Sequence, residues 1–187
     1  GKFIDKNSLF LTTAADVFKN DEMDDKPQDD NSIYGKILEI DLETNNYKMF
    51  SKGHRNILGL YVDKEIILST ENGPRGGDEI NNILYGKNYG WPIVSYGQKY
   101  EGNNYYPNSH YEYGFEEPIY SFIPSIGITQ IEKVNNKFSE KWNDNFLIAS
   151  LNGKHIYRVK FDKGNKKIFF VEKIFIGERM RDLVYYE

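Results

Sequence analysis

The sequence predicts an all-β fold: a sandwich, a barrel or a propeller. Helical periodicity is scarce, short β-rich runs recur from end to end, and the runs are closely spaced. Expected strands fall at 8–13, 35–42, 47–51, 58–62, 65–69, 79–84, 118–122, 128–134, 145–151, 155–161, 167–175 and 182–186. The first follows the polar Asp5-Lys6-Asn7. The second opens at Gly35, and Glu43-Thr44-Asn45-Asn46 divides it from the third. Gly53 and then Asp63-Lys64 bracket the fourth, and the Gly-rich stretch 73–77 divides the fifth from the sixth. After a long loop, Gly127, Asn143-Asp144, Asn152-Gly153, Gly164-Asn165 and Gly177 punctuate the remaining runs. A propeller blade takes roughly 40–45 residues, so the chain has room for about four blades at most.

Composition narrows the function classes. With 39% hydrophobic and 16% aromatic residues, the 187-residue chain can bury a real core. A net charge of −4 gives no electrostatic footprint for nucleic acid. No apolar run reaches the roughly 18 residues of a membrane span. The absence of cysteine excludes disulfides, thiolate metal sites and a cysteine nucleophile. The chain starts without Met in the strand-like Gly1-Lys2-Phe3-Ile4 and stops within the strand-like 182–187, so we expect it to belong to something longer.

Two loops stand apart. Residues 20–32 (NDEMDDKPQDDNS) are acidic and read as a solvated surface loop; they lack the order of acids and the turn glycine of an EF-hand. Residues 96–114 (YGQKYEGNNYYPNSHYEYG) are rich in Tyr and Asn. Tyrosines on a loop offer ring faces and hydroxyls together, which suits binding of a sugar or a flat ring, or packing of the loop on itself.

An ordered set of motifs follows. Gly53-His54-Arg55-Asn56 leads into Ile57-Leu58-Gly59-Leu60. Then come Glu71-Asn72-Gly73-Pro74-Arg75-Gly76-Gly77-Asp78-Glu79-Ile80-Asn81, Gly86-Lys87-Asn88-Tyr89-Gly90-Trp91-Pro92, Pro124-Ser125-Ile126, Lys141-Trp142, FLIASL at 146–151 and Gly177-Glu178-Arg179-Met180-Arg181-Asp182. This series resembles the glucose/sorbosone dehydrogenase family, soluble aldose dehydrogenases that use pyrroloquinoline quinone (PQQ). The resemblance spans nearly the whole chain. It implies a six-bladed β-propeller, of which residues 1–187 would hold roughly four blades or fewer.

PQQ carries three carboxylates, and the planar guanidinium fork suits such a ligand better than an ammonium. The resemblance places Arg55 and Asn56 against the quinone, Arg179 and Arg181 on its carboxylates, and Tyr100 and Ser125 along the pocket. Arg179 and Arg181 are two apart, so a strand would project both to one face. The resemblance further implies calcium held by carbonyls at Gly73 and Pro74, and a second calcium at Glu79 and Tyr89. Oxygen ligands of this kind suit that hard cation. The implied reaction oxidises the C1 hydroxyl of a sugar to a lactone by hydride transfer to PQQ, in the periplasm or outside the cell.

Some positions depart from the family pattern. The histidine that serves as general base in the family falls just before Gly1, so the isolated chain is expected to be inactive. His54 is not a substitute for it, and His110 and His155 lie outside the motifs and read as surface residues. Leu58, Asn72 and Asn152 stand where family members place polar or cationic cofactor contacts, which puts PQQ binding in question. The alternative is a non-catalytic propeller that binds a sugar or a protein partner, with a related lactonase-like propeller as a third possibility. A partial propeller would also leave open strand edges, which favour self-association or pairing with the remainder of the propeller.

Overall fold

A computed structural model describes residues 1–15 and 25–185. Among the described residues, twelve strands form three four-stranded antiparallel sheets in chain order. The first sheet comprises β1 (Lys2–Phe3), β2 (Ser8–Thr12), β3 (Lys36–Asp41) and β4 (Asn46–Lys52). The second comprises β5 (Ile57–Val62), β6 (Ile67–Glu71), β7 (Asp78–Asn82) and β8 (Tyr120–Phe122). The third comprises β9 (Ile128–Lys133), β10 (Asn145–Ser150), β11 (His155–Asp162) and β12 (Lys167–Phe175). Within each sheet every strand pairs with the next in sequence, so each sheet is a meander, the unit of a propeller blade. The described residues form three blades, with β1, β5 and β9 as the first strands that neighbour one another across blades.

Hydrophobic burial holds the blades face to face. Phe10 and Ile37 of the first blade pack with Ile57, Leu60 and Ile67 of the second. Leu68, Ile80 and Phe122 of the second pack with Ile128, Ile131, Ile148 and Val159 of the third. The middle blade is therefore covered on both faces, and all five residues of β6 are buried, including Ser69, Thr70 and Glu71. Gly59 makes the close approach possible: a Cβ there would lie 2.7 Å from the Ile131 nitrogen and 2.8 Å from the Thr129 carbonyl.

Most expected strands form with small shifts. The run at 65–69 moves to Ile67–Glu71 because Asp63 captures the turn: its Oδ1 accepts the Glu65 and Ile66 amides, each at 2.8 Å. The expected strand at 182–186 is a correction. Residues 182–185 pair with no strand among the described residues, and Tyr186 lies outside them. The acidic loop is only partly described, since 20–24 lie outside the described residues; the remainder is more anchored than a solvated loop. The Lys36 ammonium is fully buried and donates to the carbonyls of Lys26, Pro27 and Tyr34. Gln28 reaches the second blade, donating to the Trp91 carbonyl at 2.6 Å.

Candidate active site

The segment 53–56 enters β5 beside the turn that follows β6. Gly53, at φ +76°, allows the close contact, because a Cβ there would sit 2.7 Å from the Gly90 nitrogen. Arg55 is only 7% exposed. Its Nη1 donates to the Asn72 carbonyl and its Nη2 to the Tyr100 hydroxyl, both at 2.9 Å. The guanidinium also lies over the Trp91 ring, 5.3 Å from the centroid. Its Nε is buried without a hydrogen-bond partner, and no acidic side chain pairs with the group among the described residues.

Below Arg55 lies a buried polar cluster. Glu71 Oε1 accepts the Arg55 backbone N–H, and Oε2 sits 3.1 Å from His54 Nδ1. The other ring nitrogen of His54 is 2.8 Å from Ser51 Oγ, and the ring stacks on Tyr89. Glu79 is buried nearby with Asn81 donating to its Oε2 at 3.2 Å. Burial, and then the neighbouring Glu71 charge, push the Glu79 carboxyl well above its usual range. His110 Nε2 is 3.8 Å from Glu79 Oε1, and burial lowers its pKa, opposed by Glu117. Glu71, Glu79, Gly73, Tyr89 and His110 line a cavity of about 10 Å³, the scale of one water or ion.

Asp78 ties this centre to the third blade. Its carboxylate is fully buried and accepts three backbone amides: Gly73 at 3.1 Å, and Ile126 and Ile128 at 3.0 Å each. Asn72 crosses the same boundary, donating from Nδ2 to the Ile128 carbonyl at 2.6 Å. Asn72 is thus a strap between the second and third blades.

The predicted residues divide into groups. Arg55, Tyr100, Gly73 and Pro74 gather at one turn, where the Tyr100 hydroxyl also reaches the Pro74 carbonyl at 3.4 Å. Asn56 is half-buried at the start of β5, its carbonyl accepting the Asn72 amide. The Tyr89 hydroxyl is committed to the Asn82 carbonyl and the Leu84 amide, so any metal role there falls to its backbone carbonyl. Ser125 Oγ accepts the Gly127 amide near the third blade. Arg179 and Arg181 are exposed on a segment that forms no strand, so the strand geometry that would align them is not present there. Both backbone bonds of Met180 instead fix that segment, to the Ser150 carbonyl and the Thr129 hydroxyl. Leu58 is 43% exposed, and Asn152 is exposed beside Gly127.

Two histidines need correction. His110 is 1% exposed, not at the surface, because Tyr96 stacks on it and Glu79 and Glu117 flank it. His155 is half-buried at the start of β11, against Tyr157 and Phe175. Sequence reasoning assigned no role to Glu71, Asp78, Trp91 or His110. A signal was available for Glu71, which ends the otherwise neutral run ILSTE; Asp78 opens the polar strand DEINN, and only its burial sets it apart.

The sequence and the fold that carry this site match known proteins. The glucose/sorbosone dehydrogenase family model covers residues 2–186. The chain belongs to this family. It is 30% identical over 142 residues to the aldose sugar dehydrogenase YliI of Escherichia coli (strain K12), covering 73% of this chain and 38% of that protein. It is 34% identical over 93 residues to quinoprotein glucose dehydrogenase B of Acinetobacter calcoaceticus, covering 43% of this chain and 19% of that one. A crystal structure of glucose dehydrogenase superposes with a TM-score of 0.78 at 26% identity, covering 93% of this chain and 54% of the other. The chain therefore spans about half the length of that structure, and less of the two sequence relatives.

Proposed function

We propose that the full-length protein containing this chain is a PQQ- and calcium-dependent aldose dehydrogenase, and that these three blades supply its cofactor-binding half. One observation carries the reading: Arg55 is a buried cation with an unspent N–H and no acidic partner among the described residues. Such a charge is costly unless an anion meets it. The carboxylates of PQQ fit that need, and the Trp91 face beside Arg55 suits a flat ring. No group of three or more His, Asp or Glu side chains is spaced for a metal among the described residues. The cavity between Glu71 and Glu79 nevertheless fits a hard cation: two buried carboxylates repel each other there, and Glu79 with the Tyr89 carbonyl is the pair the resemblance implies for the second calcium, the Gly73 and Pro74 carbonyls being those it implies for the first.

When bound, PQQ supplies a two-electron acceptor for the hydride on the sugar C1, and calcium supplies a Lewis acid. The residues of this chain bind and orient. Arg55 and Asn56 hold the inner edge, with Tyr100 fixing the guanidinium. Arg179 and Arg181 are free at the surface to meet further carboxylates, and Ser125 lines the third-blade side. His54 is a positioning residue, since both ring nitrogens face partners inside the protein. The proton acceptor is expected upstream of Gly1, so the isolated 187-residue chain should oxidise no sugar.

A titration of the full-length protein with PQQ, with and without calcium, tests this, followed by dye reduction with glucose. Binding with turnover is expected, and Arg55→Ala should weaken PQQ about ten-fold or more. Failure of the full-length protein to bind PQQ would sink the reading. That outcome would favour the second one, a binding propeller, for which the exposed Leu58 is the supporting observation. A periplasmic or extracellular location goes with the enzyme reading. Among the described residues no helix is long and apolar enough to cross a membrane.

A further inference from the structure

We infer that Gln28 is a positioning residue for this site: it closes a ring of hydrogen bonds that holds the Trp91 indole against the Arg55 guanidinium. Three segments distant in sequence meet in that ring. The Gly53 amide donates to the Pro27 carbonyl at 3.1 Å, and the Trp91 amide donates to the Gly53 carbonyl at 2.9 Å. Gln28 Nε2 then donates to the Trp91 carbonyl at 2.6 Å, one residue from where the ring began. Both backbone groups of Trp91 are thus engaged, as are both of Gly53, which lies two residues before Arg55.

Gln28 is itself held on every polar atom of its side chain. Its Nε2 also donates to Asn88 Oδ1 at 3.2 Å, and its Oε1 accepts from Asn88 Nδ2 at 2.7 Å. The same Asn88 Oδ1 accepts the Gly90 amide at 3.0 Å, so this reciprocal amide pair grips the chain on both residues, 90 and 91. The loop that presents Gln28 is anchored by the fully buried Lys36, whose ammonium donates to the Lys26 and Pro27 carbonyls just before it. Gly35, at φ +66°, lets that loop lie on the arginine motif: a Cβ there would meet the His54 carbonyl at 2.6 Å, and the His54 amide donates to the Gly35 carbonyl at 3.1 Å.

The consequence falls on Arg55. A guanidinium recognises a carboxylate as a planar fork, so its value depends on the tilt of that plane. Hydrogen bonds fix the two Nη atoms, and two rings bear on the plane that carries the open Nε: Trp91 at 5.3 Å and the exposed Tyr100 at 6.0 Å. Of these rings, Trp91 is the one pinned through its backbone. Gln28 does not line the cavity beneath Arg55, so its influence on a ligand runs through Trp91. The inference rests on the dehydrogenase reading for the ligand, PQQ, but the placement of Trp91 is read without it.

The test uses the full-length protein labelled with 5-fluorotryptophan, the Trp91 signal being assigned by its loss in Trp91→Phe. Gln28→Glu keeps an oxygen for Asn88 but has no N–H for the Trp91 carbonyl, and Gln28→Leu removes every polar contact at similar volume. Without cofactor, both variants should shift or broaden the Trp91 fluorine resonance and leave that of Trp142, on the third blade, in place. In PQQ titrations both should weaken binding about five-fold or more, and should add little to the loss caused by Arg55→Ala, because the two residues act through one contact. An unmoved Trp91 resonance would overturn the inference, as would losses of affinity that simply multiply. Loss of folding in both variants would overturn it too, since Gln28 would then serve stability rather than the placement of one ring. If the unaltered protein binds no PQQ while the variants still move the Trp91 resonance, the positioning role stands and the dehydrogenase reading falls.

Discussion

Asp78 shows how much one residue carries. A single buried carboxylate satisfies three amides on two blades, and those amides would otherwise be buried without partners. Asp78→Ala should therefore destabilise the protein by about 3 kcal/mol or more, the cost expected when several buried donors lose their acceptor. Denaturant titration measures it, and a loss below about 1 kcal/mol would show that the turn finds other partners. The sequence placed Asp78 within a motif but could not show this role, because its three donors lie 5, 48 and 50 residues away along the chain. Arg55 was legible for the opposite reason: its chemistry is in its side chain, and the motif around it is local.

At the scale of elements, the β5–β6 hairpin depends on Asp63. Tyr61 donates to Asp63 Oδ2 at 2.7 Å, and the Glu65 and Ile66 amides donate to Oδ1. Burial pushes the Asp63 carboxyl up, but the Tyr61 and amide bonds with Lys133 nearby outweigh it and hold the pKa below its ordinary value of 3.8. A depressed folded pKa means the contribution is present above pH 3.8 and is lost as pH falls through the folded value. Its size is small because the group is solvent-screened. Asp63→Asn should cost about 1 kcal/mol at neutral pH, and the gap between wild type and variant should narrow in acid. Thermal melts across pH would record it; a gap that widens in acid would contradict the assignment. This same aspartate moved the strand away from 65–69, because turn capture outweighed the β propensity of the residues just after it.

For the molecule as a whole, the blades bury their faces against one another while β12 retains exposed Phe169 and Phe175. The isolated chain is therefore expected to self-associate, and sedimentation velocity showing a monomer at micromolar concentration would refute this. Calcium should act on stability as well as on activity. If Glu71 and Glu79 share a cation, adding calcium raises the unfolding temperature of the full-length protein, and Glu79→Gln removes most of that shift. An unfolding temperature indifferent to calcium and to chelator would exclude a metal in this cavity.

The sequence by itself determined the all-β class, nearly every strand, and the motifs that hold Arg55, Gly73 and Glu79, since strand alternation and turn chemistry are local. The tertiary structure decided which of those residues meet. It buried His110 against Glu79, made Asn72 a strap between blades, left Arg179 and Arg181 off any strand, and paired Arg75 with Gln98 across two loops. These are long-range contacts, fixed by how blades and loops pack, and no local periodicity encodes them. The all-β class was therefore readable from spacing and the propeller from the motif resemblance, whereas the charge balance of the site emerged only when buried groups from separate blades shared the same low-dielectric space.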